Sequence, residues 1–490
     1  MREGSIVADM VAFRSDHPAL AALADLDIHC EARDLRRPPP MLAALYELFV
    51  GKPFETYAGA KLTFLPEGPA RHAGNTRLPV VWMRIDTRYG DLASGSGRRV
   101  ELPERLDALS EPLKQQLRGG RALLVLDWSH EGRPTFWTRN IRRITDFFGM
   151  PAQNIIVLTQ NIAAPERSAD GVRDLSIVNA HAFIPVFWRM LFGNRVHREE
   201  TAYRFGFAAA ADKPRAKRYI CTNFEATATR ALLAARLLRM SDPGYLSFRK
   251  DQFRRSLPGS PAFLAELSLV SLHHHFRDNQ SQVSSFCAIN RNHQIDLDSH
   301  ASPRNVTNFM PIEALRDSEL QLVTEKEVAL PDQRRFTEKT LKAVIAGTPF
   351  IVFGNQGTIA LLEETGFDVL HDLVDHSYDM REDPAMRFDK AWRSFLTFME
   401  REPGFTAAEQ ERLAEAAAHN ETVFQGALFD RWVLDPVSEI HARHPLRRRL
   451  PCAITPPFPI HAANSNTTEA PPRGPAGLLP PPSQDPPMMH

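Results

Sequence analysis

Short runs of mainly apolar residues recur along the chain and constrain its fold more than any other feature. They occupy residues 79–86, 122–127 and 154–160 in the first half, and 219–222, 320–324, 349–353 and 367–370 in the second. Such runs are typical of strands buried on both faces of a parallel sheet. The sequence therefore predicts an α/β protein.

Helical segments separate these predicted strands. Apolar residues recur at helical spacing in 137–148, 232–238, 337–346 and the segment that begins at 358. A chain of 490 residues exceeds the roughly 250 to 300 residues of a single core. With a polar, proline-containing boundary at 213–217, we expect two Rossmann-like, doubly wound domains facing one cleft, at 1–212 and 216–435. The proline-rich segment 451–490 is expected to be disordered.

Charge and cysteine content exclude several classes of protein. The chain has 59 basic and 59 acidic residues, so no overall field draws it to nucleic acid. Its four cysteines show neither metal-ligand nor disulfide spacing. No signal peptide or membrane-spanning run is recognisable, and we expect a soluble, cytoplasmic protein without a metal. The aromatic segment 182–192 fits peripheral membrane contact or domain core, and core is favoured.

The start of the predicted helix 337–346 is the strongest candidate for a binding site. Thr337 is a good N-cap, so Glu338 and Lys339 fall in the first turn. A glutamate suits the positive end of the helix dipole, whereas a lysine is disfavoured there unless an anion shares the site. This pattern predicts that Lys339 contacts an anion such as phosphate.

Other polar residues are expected near the same helix start. Glu325 follows the strand 320–324, and Asn223 follows the strand 219–222, with Arg230 near the start of the next helix. Ligands of open α/β sheets bind beyond the carboxyl ends of strands. Arg230 and Lys339, at two helix starts, are suited to clamp a diphosphate.

These motifs resemble the donor-binding segment of the α-1,3-fucosyltransferases, which are GT-B glycosyltransferases that use GDP-fucose. The resemblance lies in Thr324-Glu325, Thr337-Glu338-Lys339 and the run Ala346-Gly347-Thr348-Pro349, with Asn223 and Arg230 upstream. It implies a GT-B-like fold whose C-terminal domain binds a nucleotide-diphosphate sugar. Glu325 and Glu338 would hold the nucleoside end of the donor, and Lys339 and Arg230 its phosphates.

The resemblance further implies inverting, metal-independent transfer to a glycan or glycoconjugate acceptor. Such a transfer needs a carboxylate from the N-terminal domain to deprotonate the acceptor hydroxyl. Asp127 and Glu131, which follow a buried strand, are the candidates. Both also fit an ordinary structural role at a strand end.

Three alternatives stay open from the sequence. Glu338 and Lys342 are spaced as an i, i+4 surface ion pair, which would leave Lys339 merely solvated. The chain also fits a catalytically inert nucleotide- or glycan-binding scaffold. The third alternative is a nucleotidyl- or phosphotransferase, which requires a metal-binding pair of carboxylates.

Overall fold

The computed structural model describes most of the chain between residues 17 and 445. The described residues are 17–30, 39–50, 61–62, 78–85, 106–107, 109–130, 145–146, 149–163, 175–192, 204–210, 214–223, 227–242, 244–248, 310–326, 328 and 333–445. The predicted disordered segment 451–490 and most of the predicted helix 137–148 lie outside them. The described residues all belong to one compact unit.

The first half contains a six-stranded sheet with the order β2-β1-β3-β4-β5-β6. Its strands are β1 (Leu26–His29), β2 (Lys61–Leu62), β3 (Leu78–Arg84), β4 (Leu123–Trp128), β5 (Ile155–Thr159) and β6 (Ser176–Asn179). The short edge strand β2 is antiparallel to β1, and the other pairs are parallel. Because β3, β4 and β5 are adjacent and parallel, their carboxyl ends lie at one edge.

Helices cover the first sheet. They are α1 (Pro18–Asp25), α2 (Pro40–Val50), α3 (Glu111–Arg118) and α4 (Phe183–Phe192). Alternate residues of the central strands enter two separate cores, as Val80 and Trp82 join one while Val81 and Met83 join the other. Burial on both faces explains why these strands read as mainly apolar runs. The aromatic segment 182–192 forms α4 and packs in the core, as predicted.

The second half contains a four-stranded parallel sheet with the order β10-β9-β7-β8. Its strands are β7 (Lys217–Asn223), β8 (Tyr245–Phe248), β9 (Ser318–Thr324) and β10 (Phe350–Phe353). The connecting helices are α5 (Ala228–Leu237), α6 (Ile312–Arg316), α7 (Glu338–Ala346) and α8 (Thr358–Thr365). The prediction of an α/β chain with two sheets of mainly parallel strands is confirmed, and these sheets are compatible with a Rossmann-like two-domain fold.

The last helices return to the first half of the chain. They are α9 (Pro384–Met399), α10 (Ala407–Val423) and α11 (Asp435–Ala442), with the π-helical turns Phe424–Leu428 and Asp430–Leu434 between α10 and α11. His441 Nε2 lies 3.2 Å from Asp25 Oδ2 in α1, and Arg443 Nη1 donates to Ser176 Oγ in β6 at 2.7 Å. The end of the described chain therefore packs against the first sheet and its helices.

The predicted strand at 367–370 is wrong. These residues have no strand partner, and Leu370 has a positive φ of 60°. Asp368 Oδ1 accepts a hydrogen bond from Leu370 N at 2.9 Å, which closes a local turn. The Asn420 side chain of α10 makes two hydrogen bonds with the Asp368 backbone, as its Oδ1 accepts from Asp368 N and its Nδ2 donates to Asp368 O. Hydrogen bonds with a side chain thus take the place of those with a neighbouring strand.

Among the described helices, none is long and apolar enough to cross a membrane.

Candidate functional site

Glu325 is the central carboxylate of the candidate site. It follows β9 directly, and its backbone N–H donates to Phe353 O at 2.9 Å. Its side chain is only 6% exposed and accepts hydrogen bonds from the Thr337 hydroxyl at 2.7 and 2.8 Å and from the Thr340 hydroxyl at 2.8 Å. A Cβ on Gly354 would meet Glu325 Cγ at 3.1 Å, so this glycine makes room for the carboxylate. Glu325 therefore ties the end of β9 to the start of α7.

The start of α7 has the predicted cap. Thr337 has extended backbone angles, and its Oγ1 accepts from Lys339 N at 3.2 Å. Glu338 is accordingly the first helical residue, and Gly347, with φ of 74°, ends the helix in the left-handed conformation. The sequence prediction for this element is confirmed to within one residue.

Lys339 and Glu338 form an ion pair at this helix start. Lys339 Nζ lies 2.8 Å from Glu338 Oε1 and 4.0 Å from Glu325 Oε2. Burial disfavours the charged form of Glu338, but the charges of Lys339 and Lys342, together with hydrogen bonds from Lys339 and the backbone, lower its pKa to about 2. The Lys339 side chain remains 29% exposed, which is more than the 16% of Glu338 and the 6% of Glu325. Lys339 is thus a fixed cation rather than a freely solvated one.

Asn223 and Arg230 meet the same strand end. Thr324 Oγ1 donates to Asn223 Oδ1, and Arg230 Nη2 donates to the Thr324 carbonyl at 3.0 Å. Arg230 is only 2% exposed. The structure therefore brings Asn223 and Arg230 together with Glu325 through Thr324, while a contact between Arg230 and phosphate stays a prediction.

Asp127 is fully buried and holds a helix start. Its Oδ2 accepts from Met41 N at 2.9 Å, Leu42 N at 3.4 Å and Trp82 Nε1 at 3.0 Å. Its Oδ1 accepts from Ser129 N at 3.1 Å and Ser129 Oγ at 2.6 Å. Burial raises the pKa of Asp127, although these hydrogen bonds oppose the rise. The carboxylate thus neutralises the positive end of α2. Glu131, the other predicted base, lies outside the described residues.

Residues 333–339 contact the strand ends of the first sheet, which sequence reasoning did not anticipate. Arg334 N donates to Asn161 Oδ1 at 2.8 Å, and Ile162 N donates to Arg334 O at 3.0 Å. Arg335 Nη1 donates to Gln160 Oε1 at 3.1 Å. We call this region, comprising residues 333–339 and the carboxyl ends of β3, β4 and β5, the inter-sheet junction.

His181 extends the junction to the end of β6. It is fully buried, stacks on Phe336 with ring centroids 5.0 Å apart, and places Nε2 3.2 Å from the Phe336 carbonyl. Burial lowers the pKa of His181 to about 3, despite the hydrogen bond with Phe336. His181 is therefore neutral at pH 7. It holds the residue immediately before Thr337 against the first sheet.

His130 lies at the junction just beyond β4. Its Nε2 is 3.4 Å from Arg84 Nη2, where Arg84 is the last residue of β3. Burial lowers the pKa of His130 well below its ordinary value, and the charges of Arg84 and Arg335 lower it further, whereas Glu338 raises it. Glu338 and His130 therefore influence each other electrostatically across the junction.

The neighbouring helix α8 offers a contrast. Asp379 Oδ2 accepts from Ala360 N at 3.1 Å, in the first turn of α8. Burial raises the pKa of Asp379, while hydrogen bonds from the helix backbone lower it. A carboxylate of the chain itself thus occupies this helix start, and the glycine-containing turn from Gly354 to Gly357 does not offer an anion site.

In comparisons with known proteins, no family model, curated protein or solved structure matches the chain. Within the described ranges, no group of three or more His, Cys, Asp or Glu side chains is arranged to hold a metal ion. The six residues predicted to bind a donor do converge, at the ends of β7 and β9 and the start of α7. These residues are Asn223, Arg230, Glu325, Thr337, Glu338 and Lys339.

Proposed function

We propose that the chain is a GT-B-like inverting glycosyltransferase of the cytoplasm that uses a nucleotide-diphosphate sugar and a glycan acceptor. The observation that carries the proposal is the position of Lys339. Its ammonium group lies in the first turn of α7, between the carboxylates of Glu338 and Glu325, and stays 29% exposed.

A phosphate group fits this position on electrostatic grounds. The N-terminal end of a helix attracts anions through its N–H groups and dipole, so a lysine there is unfavourable by itself. Glu338 offsets that cost, and the exposed part of Lys339 can then donate to a phosphate oxygen. This arrangement supports Lys339 as a phosphate ligand and Arg230 as the residue that fixes the neighbouring end of β9 and, in the proposal, reaches the second phosphate.

Carboxylates near the phosphate site suit the nucleoside. Ionised Glu325 and Glu338 are hydrogen-bond acceptors, and ribose hydroxyls are donors. The low pKa of Glu338, about 2, keeps that carboxylate ionised at pH 7. We assign Glu338, which is more exposed than Glu325, to direct ribose contact, and Glu325 with Thr337 and Asn223 to the support of the site.

The transfer itself is a direct displacement. The acceptor oxygen bonds to the anomeric carbon, the bond from that carbon to the diphosphate oxygen breaks, and the acceptor proton passes to a base. The nucleoside diphosphate leaves with the bonding electrons, and Lys339 stabilises its growing negative charge. No metal takes part in this scheme.

A thermal-shift screen tests donor binding. GDP, UDP, CDP and ADP, and the sugar conjugates of each, are added to the full chain, and a ligand selective for the folded state raises the melting temperature. The proposal expects one base to be preferred. It also expects the matching nucleotide sugar to release nucleoside diphosphate when glycan acceptors are supplied. If all four diphosphates leave the melting temperature unchanged, the proposal fails.

The buried environment of Asp127 favours one alternative function, that of a catalytically inert nucleotide- or glycan-binding protein. The Asp127 carboxylate is fully buried and accepts five hydrogen bonds from the chain, which suits a structural role better than proton transfer. This alternative predicts that a nucleotide sugar binds and is recovered intact after incubation with acceptors. Release of nucleoside diphosphate excludes it.

A further inference from the structure

At the inter-sheet junction, several buried side-chain nitrogen atoms have no hydrogen-bond partner among the described residues. Two of them, His130 Nδ1 and Gln160 Nε2, lie just beyond β4 and β5. Gln160 is fully buried, and its other side-chain atom, Oε1, accepts from Arg335 Nη1. A buried donor without an acceptor destabilises the fold, because it has lost its hydrogen bonds to water and gained none in return. Such atoms call for an acceptor from outside the chain, which is either a water molecule or a ligand.

The tautomer of His130 makes its Nδ1 a donor as well. Arginine has only N–H donors, so the contact with Arg84 Nη2 at 3.4 Å requires His130 Nε2 to be the acceptor. Because the pKa of His130 is well below its ordinary value, the ring is neutral at pH 7 and carries its single proton on Nδ1. Both atoms without a partner, His130 Nδ1 and Gln160 Nε2, are therefore N–H donors.

Backbone register places these donors at one edge of the first sheet, where the charges of Arg84 and Arg335 act on His130 and the Glu338 carboxylate opposes them. Trp128 of β4 pairs with Thr159 of β5, so the residues that follow, including His130 and Gln160, lie at the same edge of the sheet. The guanidinium of Arg335 bonds to Gln160 and also acts on His130 through its charge. Arg84 contributes a second positive charge beside His130.

We propose that His130, Gln160 and Arg335 bind an oxyanion group, a carboxylate or phosphate, of a substrate. Donors without acceptors, in a field of two guanidinium groups, suit a group that only accepts hydrogen bonds. This inference rests on the proposed function, since a transferase of this kind takes two substrates. The oxyanion belongs either to an acidic acceptor sugar or to the donor diphosphate.

Replacing Gln160 with glutamate provides a nearly isosteric test. Gln160→Glu keeps Oε1 for Arg335 but turns the Nε2 donor into an oxygen, which repels an oxyanion. The matched control is Gln410→Glu, which adds the same charge on the exposed surface of α10. The probes are D-glucuronate, its neutral counterpart D-glucose, and inorganic phosphate, each titrated into the full chain at pH 7 by calorimetry.

We expect D-glucuronate or phosphate to bind the unmodified chain and Gln410→Glu equally, and Gln160→Glu at least about tenfold more weakly, as expected for a lost charged hydrogen bond. D-Glucose should not bind. Equal oxyanion affinity of Gln160→Glu and the unmodified chain overturns the proposal, and so does absence of oxyanion binding to the unmodified chain.

Lys339→Ala distinguishes the two sources of the oxyanion. If this variant retains glucuronate binding, the group belongs to an acidic acceptor. If it loses phosphate binding, as Gln160→Glu does, the group is a donor phosphate. Both outcomes support the oxyanion site. Should glucuronate bind while no nucleoside diphosphate does, the proposed transferase function fails and the oxyanion site stands.

A measurement on the unmodified chain covers the case in which Gln160→Glu does not fold. Histidine labelled with ¹⁵N reports the Nδ1 resonance of His130, assigned by its loss in His130→Phe. Glucuronate or phosphate should shift that resonance at pH 7, and glucose should not. A resonance that stays in place with all three probes overturns the proposal.

Discussion

Asp127 Oδ2 and Met41 N, which are 86 residues apart in sequence, are joined by a 2.9 Å hydrogen bond at the start of α2. This contact links the middle of the first sheet to the helix that covers it. The same carboxylate also accepts from Trp82 and Ser129, so it organises three segments of the first half.

Removal of this carboxylate should destabilise the fold. Asp127→Ala leaves several buried donors without an acceptor, each costing about 1 to 3 kcal/mol, so the free energy of unfolding should fall by at least about 3 kcal/mol. Asp127→Asn keeps one carbonyl oxygen and should lose less. Urea denaturation measures both. The control is Asp372→Ala, which breaks an exposed pair with Arg412 and should cost less than about 1 kcal/mol. A stable but inactive Asp127→Ala would instead favour a catalytic role.

Lys339→Ala should weaken nucleoside diphosphate binding and leave the fold intact. The lost charge-assisted hydrogen bond is worth about 1.5 to 3 kcal/mol, which corresponds to roughly a 10- to 100-fold loss of affinity. Calorimetry with the diphosphate identified by thermal shift measures it. Lys390→Ala, which removes a partly exposed lysine of α9 that donates to Ser377 O, is the control and should bind normally. Unchanged affinity in Lys339→Ala would refute the donor-site assignment.

Removal of the Thr337 hydroxyl should destabilise the fold. It caps α7 and donates to the buried Glu325 carboxylate. Thr337→Val keeps the shape but removes both contacts, and the free energy of unfolding should fall by about 1 to 3 kcal/mol. Thr337→Ser keeps the hydroxyl and should lose much less. Thermal or urea unfolding of the two variants decides, and equal stability would argue against the cap and its link to Glu325.

His181 should make stability depend on pH in the acidic range. Its pKa in the folded chain is about 3, against 6.5 when unfolded, so the unfolded state binds a proton first as pH falls. The free energy of unfolding should therefore decrease between pH 6.5 and about pH 3, by up to about 5 kcal/mol from this residue. His181→Phe should reduce the slope of unfolding free energy against pH. His376, whose pKa burial lowers to about 4, adds a similar slope, and His376→Phe measures that separate contribution. An unchanged slope in His181→Phe would contradict this assignment.

Local patterns account for what the sequence could predict. The strands β3, β4, β5, β7, β9 and β10 were predictable because burial on both faces favours short runs of mainly apolar residues. The start of α7 was visible because Thr337 has the chemistry of an N-cap. The strand-end rule for parallel sheets then placed Asn223 and Glu325 near each other, as the structure shows.

Contacts between distant segments account for what the sequence could not predict. The sequence around Asp127 does not indicate that Met41 N donates to its carboxylate. Likewise, the sequence around Arg335 does not indicate its hydrogen bond with Gln160, which lies 175 residues away. The prediction of a strand at 367–370 was wrong for the same reason, because Asn420 supplies the hydrogen bonds that a neighbouring strand would have supplied. The apolar residues of this segment did not distinguish a strand from a turn.

The backbone hydrogen bonds of Arg334 join segments that should unfold together. Its N–H and carbonyl both bond to the segment just after β5, and His181 holds Phe336 close by. Amide hydrogens exchange with solvent in cooperative units that open together. The start of α7 and the end of β5 therefore belong to one such unit, although they are far apart in the chain, and neither can be released to solvent without the other.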